Sequence, residues 1–396
     1  MTTQSIYLCL VSVQRMQNIL PLFQQGAGYD RVVMIASGTP TGGIDPRFRE
    51  IATSMQEAMQ DQQRWVWELH PDPVDPMDPS STAEACRKII QRAGESARIT
   101  INVTGGTKPM SIGAYIAAME AQGALYVDTE AERIYTHLPS NRGGGVNAEP
   151  FDLLRIPVAL HLKIHGKKLK TDKTGEKLSP TIDHWLSLFS NSQNLGQTIR
   201  DVHELMTDKP GLVLDEDNSY HIQLPHKNLD AAFTQQLVDL GLAREMNGDL
   251  VIYNNAQRFL NGRWLEAYVW DKLDQTGQCM DICKNLEVIG IANELDVACT
   301  VHGKLGVVEC KTGSLKGKEG QNVLNKLMAI KDGLGGIFAK SFLVITNSEK
   351  ESTEEFKKRA NEYGATIIFR DQLENAGNII IDKLSSRRRT GYSPGT

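Results

Sequence analysis

The sequence lacks the marks of several protein classes. No apolar run is long enough to span a bilayer, and the start shows no charged segment followed by an apolar one. The expected setting is therefore the cytoplasm, with no membrane partner. Cysteine is scarce, at six residues, and no two of them form a Cys-x-x-Cys pair. Several lie in apolar runs, which reads as reduced core thiols rather than a disulfide framework. Cys279 and Cys283 could share a helical face, but two thiols do not make a zinc site. A basic excess is missing too: the net charge is −5, so any grip on nucleic-acid phosphate must come from local patches. What is present is an ordinary globular balance over 396 residues, enough for two or three domains with real cores.

The richest chemistry lies between Glu294 and Lys311. Two apolar, β-branched runs flank His302-Gly303-Lys304, which predicts a β-hairpin. Strand side chains alternate, so Glu309 and Lys311 share one face while Val308 and Cys310 take the other. Closing the hairpin at Gly303 returns Asp296 to the side of Glu309 and Lys311. Two carboxylates and an ammonium at the end of an apolar hairpin are costly unless a cation or a phosphate balances them. A solvated salt bridge would explain a lone Glu-x-Lys pair. The apolar neighbours Leu305, Val307 and Val308 argue instead for a buried strand. Upstream, the run from Asn261 to Trp270 begins an amphipathic helix with Glu266 near its start.

In the first 150 residues strand-like and helical runs alternate, which predicts a doubly wound parallel sheet. Strands are expected at 5–12, 31–36, 65–69, 98–103 and 124–128. Helices are expected from Asn18, from Arg47 to Arg64, and from Ser81, where Ser81-Thr-Ala-Glu84 has the form of a capping box. The prolines of 70–79 make that stretch a loop. Ligands of such sheets sit beyond the carboxyl ends of the strands, where Ser12 to Gln14, Ser37 to Thr39 and Thr104 to Lys108 fall. Gly105-Gly-Thr-Lys108 ahead of Pro109 offers backbone N–H groups at a helix start plus one lysine, a device for an anionic group. It is not a P-loop, because Thr107 and Pro109 stand where that motif needs Gly and Ser or Thr, and it does not match G-x-G-x-x-G. Taken alone, it is equally a tight turn with a solvated lysine.

Between 151 and 260 the pattern is weaker. Lys163 to Lys170 is a basic stretch that reads as a solvated strand. A helix from Ala231 followed by a hairpin at Asn247-Gly248 has the form of a winged-helix fragment. Asn141 to Asn147 reads as a flexible loop. Beyond Lys311, a helix around Gln321 to Lys331 carries Lys326 and Lys331. Strands at 341–346 and 365–369 flank one more helix.

Two resemblances join these readings. The series Gly262-x-x-x-Glu266, Asp296 and Glu309-x-Lys311 resembles the PD-(D/E)XK nuclease superfamily from about Gly262 to Ile367, with Glu294-Leu-Asp296 in place of a nominal Pro-Asp. Asn102-Val-Thr-Gly-Gly-Thr-Lys108 resembles the signature of CRISPR-associated Rossmann-fold (CARF) sensor domains, and Ser12-Val-Gln14 resembles their first-strand loop. Together they resemble the CRISPR ancillary nucleases. The resemblance implies an N-terminal Rossmann-like CARF domain over 1–150 and a small winged-helix-like connecting module over 151–255. A restriction-endonuclease-like α/β domain would cover 256–385, before a disordered tail over 386–396.

It also implies a homodimer that binds a cyclic oligoadenylate, cyclic tetra-adenylate above all, through Ser12, Gln14, Ser37, Gly38, Thr39, Thr104, Gly105, Gly106, Thr107 and Lys108. The implied activity is metal-dependent cleavage of DNA or RNA in type III CRISPR antiviral defence, leaving 5′-phosphates. Asp296, Glu309 and the main-chain carbonyl of Cys310 would hold Mn²⁺ or Mg²⁺, since hard oxygen donors suit those ions. Lys311 would orient the attacking water or stabilise charge, and Glu266 would hold a second metal or fix the first ligands. The family's helix after the hairpin carries a Gln or Lys facing the site, which makes Gln321 an extra candidate. Two rivals stay open: a CARF-controlled transcription regulator with an inert nuclease fold, and a ring nuclease that degrades its own activator.

Overall fold

Short buried runs between turn signals build the first sheet. The computed structural model describes residues 4–94, 96–121, 123–139, 143–170, 211–214, 220–225, 231–239, 241–253, 262–289, 294–312, 315, 318–334 and 336–385. In chain order the first elements are β1 (Ser5–Leu10), α1 (Met16–Phe23), β2 (Arg31–Ile35), α2 (Pro46–Gln60), β3 (Val66–Leu69), α3 (Pro79–Ala93), β4 (Arg98–Asn102), α4 (Lys108–Ala121), β5 (Ala124–Asp128), β6 (Arg133–His137) and β7 (Val146–Pro150). The strand order β3-β2-β1-β4-β5-β6-β7 puts the topological switch between β1 and β4. β1 to β5 run parallel, as the alternation predicts. β6 and β7 then add an antiparallel hairpin, so the sheet is mixed rather than wholly parallel. The sequence hid β7 because four of its five residues are exposed and it ends in proline, so no buried face marks it as a strand.

One helix start also differs from expectation. α3 begins at Pro79, with Asp78 as its cap accepting the N–H of Ser80, while the Ser81 hydroxyl instead accepts the N–H of Asp75. Proline needs no N–H partner and its ring presets the helical φ, so the helix starts two residues before the Ser81 box. Gly113 lets α4 lie on this start: a Cβ there would come within 2.0 Å of the Pro79 carbonyl oxygen.

A second sheet, ordered β10-β11-β9-β8, combines β8 (Gly211–Leu214) and β9 (Tyr220–Pro225) with β10 (Ala243–Met246) and β11 (Asp249–Ile252). Helix α6 (Ala231–Asp239) precedes the wing, whose turn residues Asn247 and Gly248 both have positive φ. Leu224, Leu237, Leu250 and Ile252 of this module share one core with Trp264, Leu265 and Val269 of the next domain. The 386–396 tail and part of the 141–147 loop lie outside the described residues.

The third sheet is ordered β12-β13-β14-β15-β16. It contains β12 (Asp281–Leu286), the hairpin β13 (Leu295–Val301) and β14 (Lys304–Lys311), β15 (Ala339–Ile345) and β16 (Ala365–Ile368). β12 to β14 are antiparallel and β14 to β16 parallel. Helices α7 (Trp264–Gln275) and α10 (Ala376–Leu384) cover one face, and α8 (Lys318–Leu334) and α9 (Glu354–Glu362) the other. Cys279 stands just before β12 and Cys283 within it, on a strand path rather than a helical face.

The first and third sheets are joined through α5 (Val158–Ile164) and the tip of the β13–β14 hairpin. The Asp281 carboxylate accepts from the Val158 N–H at 2.8 Å and from Arg155 at 2.6 Å, and Thr300 Oγ1 donates to the Ile156 carbonyl at 2.7 Å. At the tip, Glu132 takes Lys304 Nζ at 2.8 Å and lies 2.9 Å from His302 Nδ1. Gly303 sits so close to α1 that a Cβ would come within 2.3 Å of Leu20 Cδ2. Arg15, just before α1, donates to the Ile164 carbonyl at 2.7 Å.

The basic stretch from Lys163 is strand-like and solvated only at its end, where the exposed Lys168 and Lys170 pair with Ile289 and Glu287; its start is helical. It finishes α5, whose His161 is fully buried and stacks on His165 at 4.7 Å. Burial pushes His161 well below the ordinary histidine range and His165 down to about 4. The folded protein thus resists protonation that the unfolded chain accepts near 6.5. Stability contributed by His165 is full above that value and is lost as pH falls toward 4. Denaturant unfolding at about pH 7 and pH 4.5 should differ by roughly 2–3 kcal/mol from this residue, and His165→Leu should flatten the slope. An unchanged slope in the variant would refute the assignment.

Candidate active site

Antiparallel pairing sets Val297 opposite Val308, and one step further toward the open end of the hairpin Asp296 meets Glu309. Asp296 Oδ2 accepts the Cys310 N–H at 2.7 Å, which fixes the carboxylate against β14. Glu309 is 2% exposed, so it is not part of a solvated ion pair. Lys311 Nζ lies 2.9 Å from Glu309 Oε1, and Lys326 Nζ of α8 lies 2.7 Å from both Glu309 oxygens. Glu294, Asp296, Glu309, Lys311, Asn322, Val323 and Lys326 line a cleft of about 550 Å³. Glu266, in the first turn of α7, adds a carboxylate whose buried Oε2 has no hydrogen-bond partner among the described residues.

The electrostatics follow from crowding. Burial, then the charge of Glu309, raises Asp296 to about 6, against the pull of the Cys310 N–H and the lysines. Burial, then Asp296, raises Glu266 to about 7. Burial alone would lower Lys311, but its hydrogen bond to Glu309 and the carboxylate charges carry it above its ordinary value. Half-dry carboxylates that repel one another have the hard oxygen chemistry a divalent cation takes, although among the described residues no three Asp, Glu, His or Cys side chains already stand as a ready-made metal cluster.

All four residues named from the sequence (Glu266, Asp296, Glu309 and Lys311) are therefore brought together. The Cys310 side chain points into the core on the opposite face, leaving only its main chain on the strand between Glu309 and Lys311. Gln321 is exposed and does not line the cleft; Lys326 does. A signal for Lys326 existed, since Val323, Leu327 and Ile330 mark the buried stripe of α8 and Lys326 falls inside it. Glu294, the first residue of the Glu-Leu-Asp that stands in place of Pro-Asp, also lines the cleft.

The loops at the carboxyl ends of β1, β2 and β4 also converge. Asn102 organises them: its Nδ2 donates to Tyr7, Gln17 and Asn18, and its Oδ1 accepts from both the N–H and the hydroxyl of Thr104. Asn18 donates in turn to the Leu10 carbonyl. Gly105 is needed for close approach, because a Cβ would come within 2.4 Å of the Leu10 oxygen. Several hydroxyls named from the sequence are engaged within the protein. Thr104 Oγ1 accepts the Val127 N–H, Thr107 donates to the Pro76 carbonyl, and Ser37 is buried against Met110. Ser12, Gln14 and Thr39 remain partly exposed and Lys108 exposed.

Residues 6–147 match the family model of the Card1 CARF domain, and residues 253–387 match that of the Card1-like endonuclease domain. The chain belongs to the CARF-fused CRISPR ancillary nucleases. Its fold is shared along nearly its whole length with protein VC1899 from Vibrio cholerae, at a TM-score of 0.78 and 20% identity, covering 96% of this chain and 98% of that one. It is shared as well with Can2 from Sulfobacillus thermosulfidooxidans in complex with cyclic tetra-adenylate, at a TM-score of 0.71 and 23% identity, covering 95% and 97%. A type III CRISPR defence DNA nuclease activated by cyclic oligoadenylate gives a TM-score of 0.53 at 16% identity. It covers 95% of this chain, which spans about half of that one (52%). No curated protein matches the chain. In this nuclease the endonuclease match contains Glu266, Asp296, Glu309, Lys311 and Lys326, and the CARF match contains every loop residue named for the ring site. Among the described residues no helix is long and apolar enough to cross a membrane.

Proposed function

We propose that this nuclease cuts nucleic-acid phosphodiesters with a divalent metal and is switched on when a cyclic oligoadenylate, cyclic tetra-adenylate above all, binds its CARF domain. The carrying observation is the buried Glu266–Asp296–Glu309 cluster with Lys311, set at the open end of a hairpin whose closed end is clasped by the CARF domain. Asp296, Glu309 and the Cys310 carbonyl would hold Mn²⁺ or Mg²⁺, with Glu266 fixing these donors or holding a second ion. When bound, such an ion polarises the phosphate and acidifies a water. Lys311 presents its ammonium to the cleft, where it orients the attacking water or stabilises charge gathering on phosphorus.

On the sensor side, Ser12, Gln14, Thr39 and Lys108 face outward, while Asn102 and Gly105 hold the loops in register. A ring lying on a two-fold axis calls for a homodimer. Ile112, Tyr115 and Ile116 give α4 an exposed apolar stripe beside Lys108, suited to a second copy. The signal then passes from the Ser12–Gln14 loop along α1 to Leu20 and Gly303, and down the hairpin to Asp296 and Glu309. The connecting module, with Leu237 and Leu250 in the nuclease core, fits a strut better than a free DNA reader.

Incubating the protein with labelled DNA and RNA, each cyclic oligoadenylate, and Mn²⁺ or Mg²⁺ tests this reading. Fragments should appear only with both ring and metal, from a particle of dimeric mass. Metal-independent or ring-independent cleavage, or a monomer, would count against it. Lys108→Ala should weaken ring binding by about tenfold or more, the worth of one charge-assisted contact, and leave ring-saturated cleavage intact. Equal affinity would return that loop to a structural turn.

A further inference from the structure

Lys326 holds the seat that a divalent cation needs. Its ammonium lies 2.7 Å from each Glu309 oxygen, the two-point contact that a chelated cation would make, while Lys311 touches only Oε1 at 2.9 Å. Glu309 is buried, and its carboxylate is answered by the ammonium groups of Lys326 and Lys311. We propose, resting on the metal-nuclease reading above, that Lys326 is the resident counter-ion of this site: it balances Glu309 when metal is absent and must be displaced before metal binds.

Three features support displacement rather than a fixed structural pair. Lys326 reaches in from α8, a different element from the hairpin, and lines the cleft beside Asn322. Its four-carbon stem carries a compact charge that can swing without moving the helix. Once a cation takes the Glu309 oxygens, the like charge of Lys326 is repelled toward the cleft mouth, where a substrate phosphate would meet it. Lys326 is thus a positioning residue for metal and, after displacement, a phosphate contact. It couples the two ligands: metal frees the lysine, and substrate keeps it away.

The test is Mn²⁺ binding by titration calorimetry at about pH 8, above the raised Asp296 and Glu266, with Glu309→Gln as the non-binding control. Lys326→Met, which keeps the stem and removes the competing charge, should bind Mn²⁺ about tenfold tighter or more. At saturating Mn²⁺ its KM for oligonucleotide should rise. A lysine that only braces the fold cannot give this result, because its loss would loosen the ligands and weaken metal binding. Equal or weaker Mn²⁺ binding by Lys326→Met, with wild type still binding, would overturn the counter-ion role and leave the metal-nuclease reading standing. No binding by either protein would overturn both. If Lys326→Met melts far below wild type, Lys326→Gln serves the same comparison.

Discussion

Glu309→Gln should abolish cleavage, by roughly a hundred- to a thousandfold or more, while ring binding and dimerisation persist. The substitution keeps the size of the side chain and removes the charge that a cation needs. Because Glu309 is buried between two lysines, stability will also respond. Taking one partner from a buried charge cluster costs about 3–5 kcal/mol, since the lysines lose their counter-charge. Lost activity alone would therefore be ambiguous. Pairing Glu309→Gln with Lys326→Met removes one acid and one base together and should recover much of the melting temperature, yet cleavage should stay absent. Lys311→Ala should likewise lose cleavage, since water positioning and charge stabilisation both depend on it. Full cleavage by any of these variants would remove the hairpin from the chemistry.

The hairpin was legible in the sequence because its information is local. Period-two alternation, a Gly303 turn and acids spaced to meet across two strands are all readable from one stretch. The CARF loops were legible for the same reason: a strand end, small residues and a helix start adjoin one another. Residues whose meaning comes from another element were harder to read. Lys326 sits in the apolar stripe of α8, but only the fold brings that stripe against β14. His161 lies just ahead of a run of lysines that looks solvated, and it is buried because α5 is packed between two sheets. β7 is an outer strand whose ladder, rather than its side chains, holds it in the sheet. Glu132 gave no signal, since its partners lie 170 residues or more away in sequence.

That last contact sets the final expectation. The nuclease hairpin is one continuous object: its tip is held by Glu132 and Leu20 of the CARF domain, and its open end carries Asp296 and Glu309. On the proposed reading, in which the ring engages Ser12 and Gln14, a shift of α1 would press first on Gly303, and a paired strand would carry that displacement along its length more readily than a loop. Glu132→Gln removes the charge that holds Lys304 and His302 while keeping the side-chain volume. Ring affinity should change little, because Glu132 lies outside the loops at the strand ends. Ring-stimulated cleavage should fall roughly five- to a hundredfold, the range of an ordinary coupling energy. Glu132→Leu with Lys304→Met then separates two mechanisms: recovered stimulation means the tip needs only a firm packed contact, and continued loss means it needs the ion pair. Stimulation that survives both Glu132→Gln and a crowded tip, Gly303→Ala against Leu20, would show that the signal reaches Asp296 and Glu309 by another route.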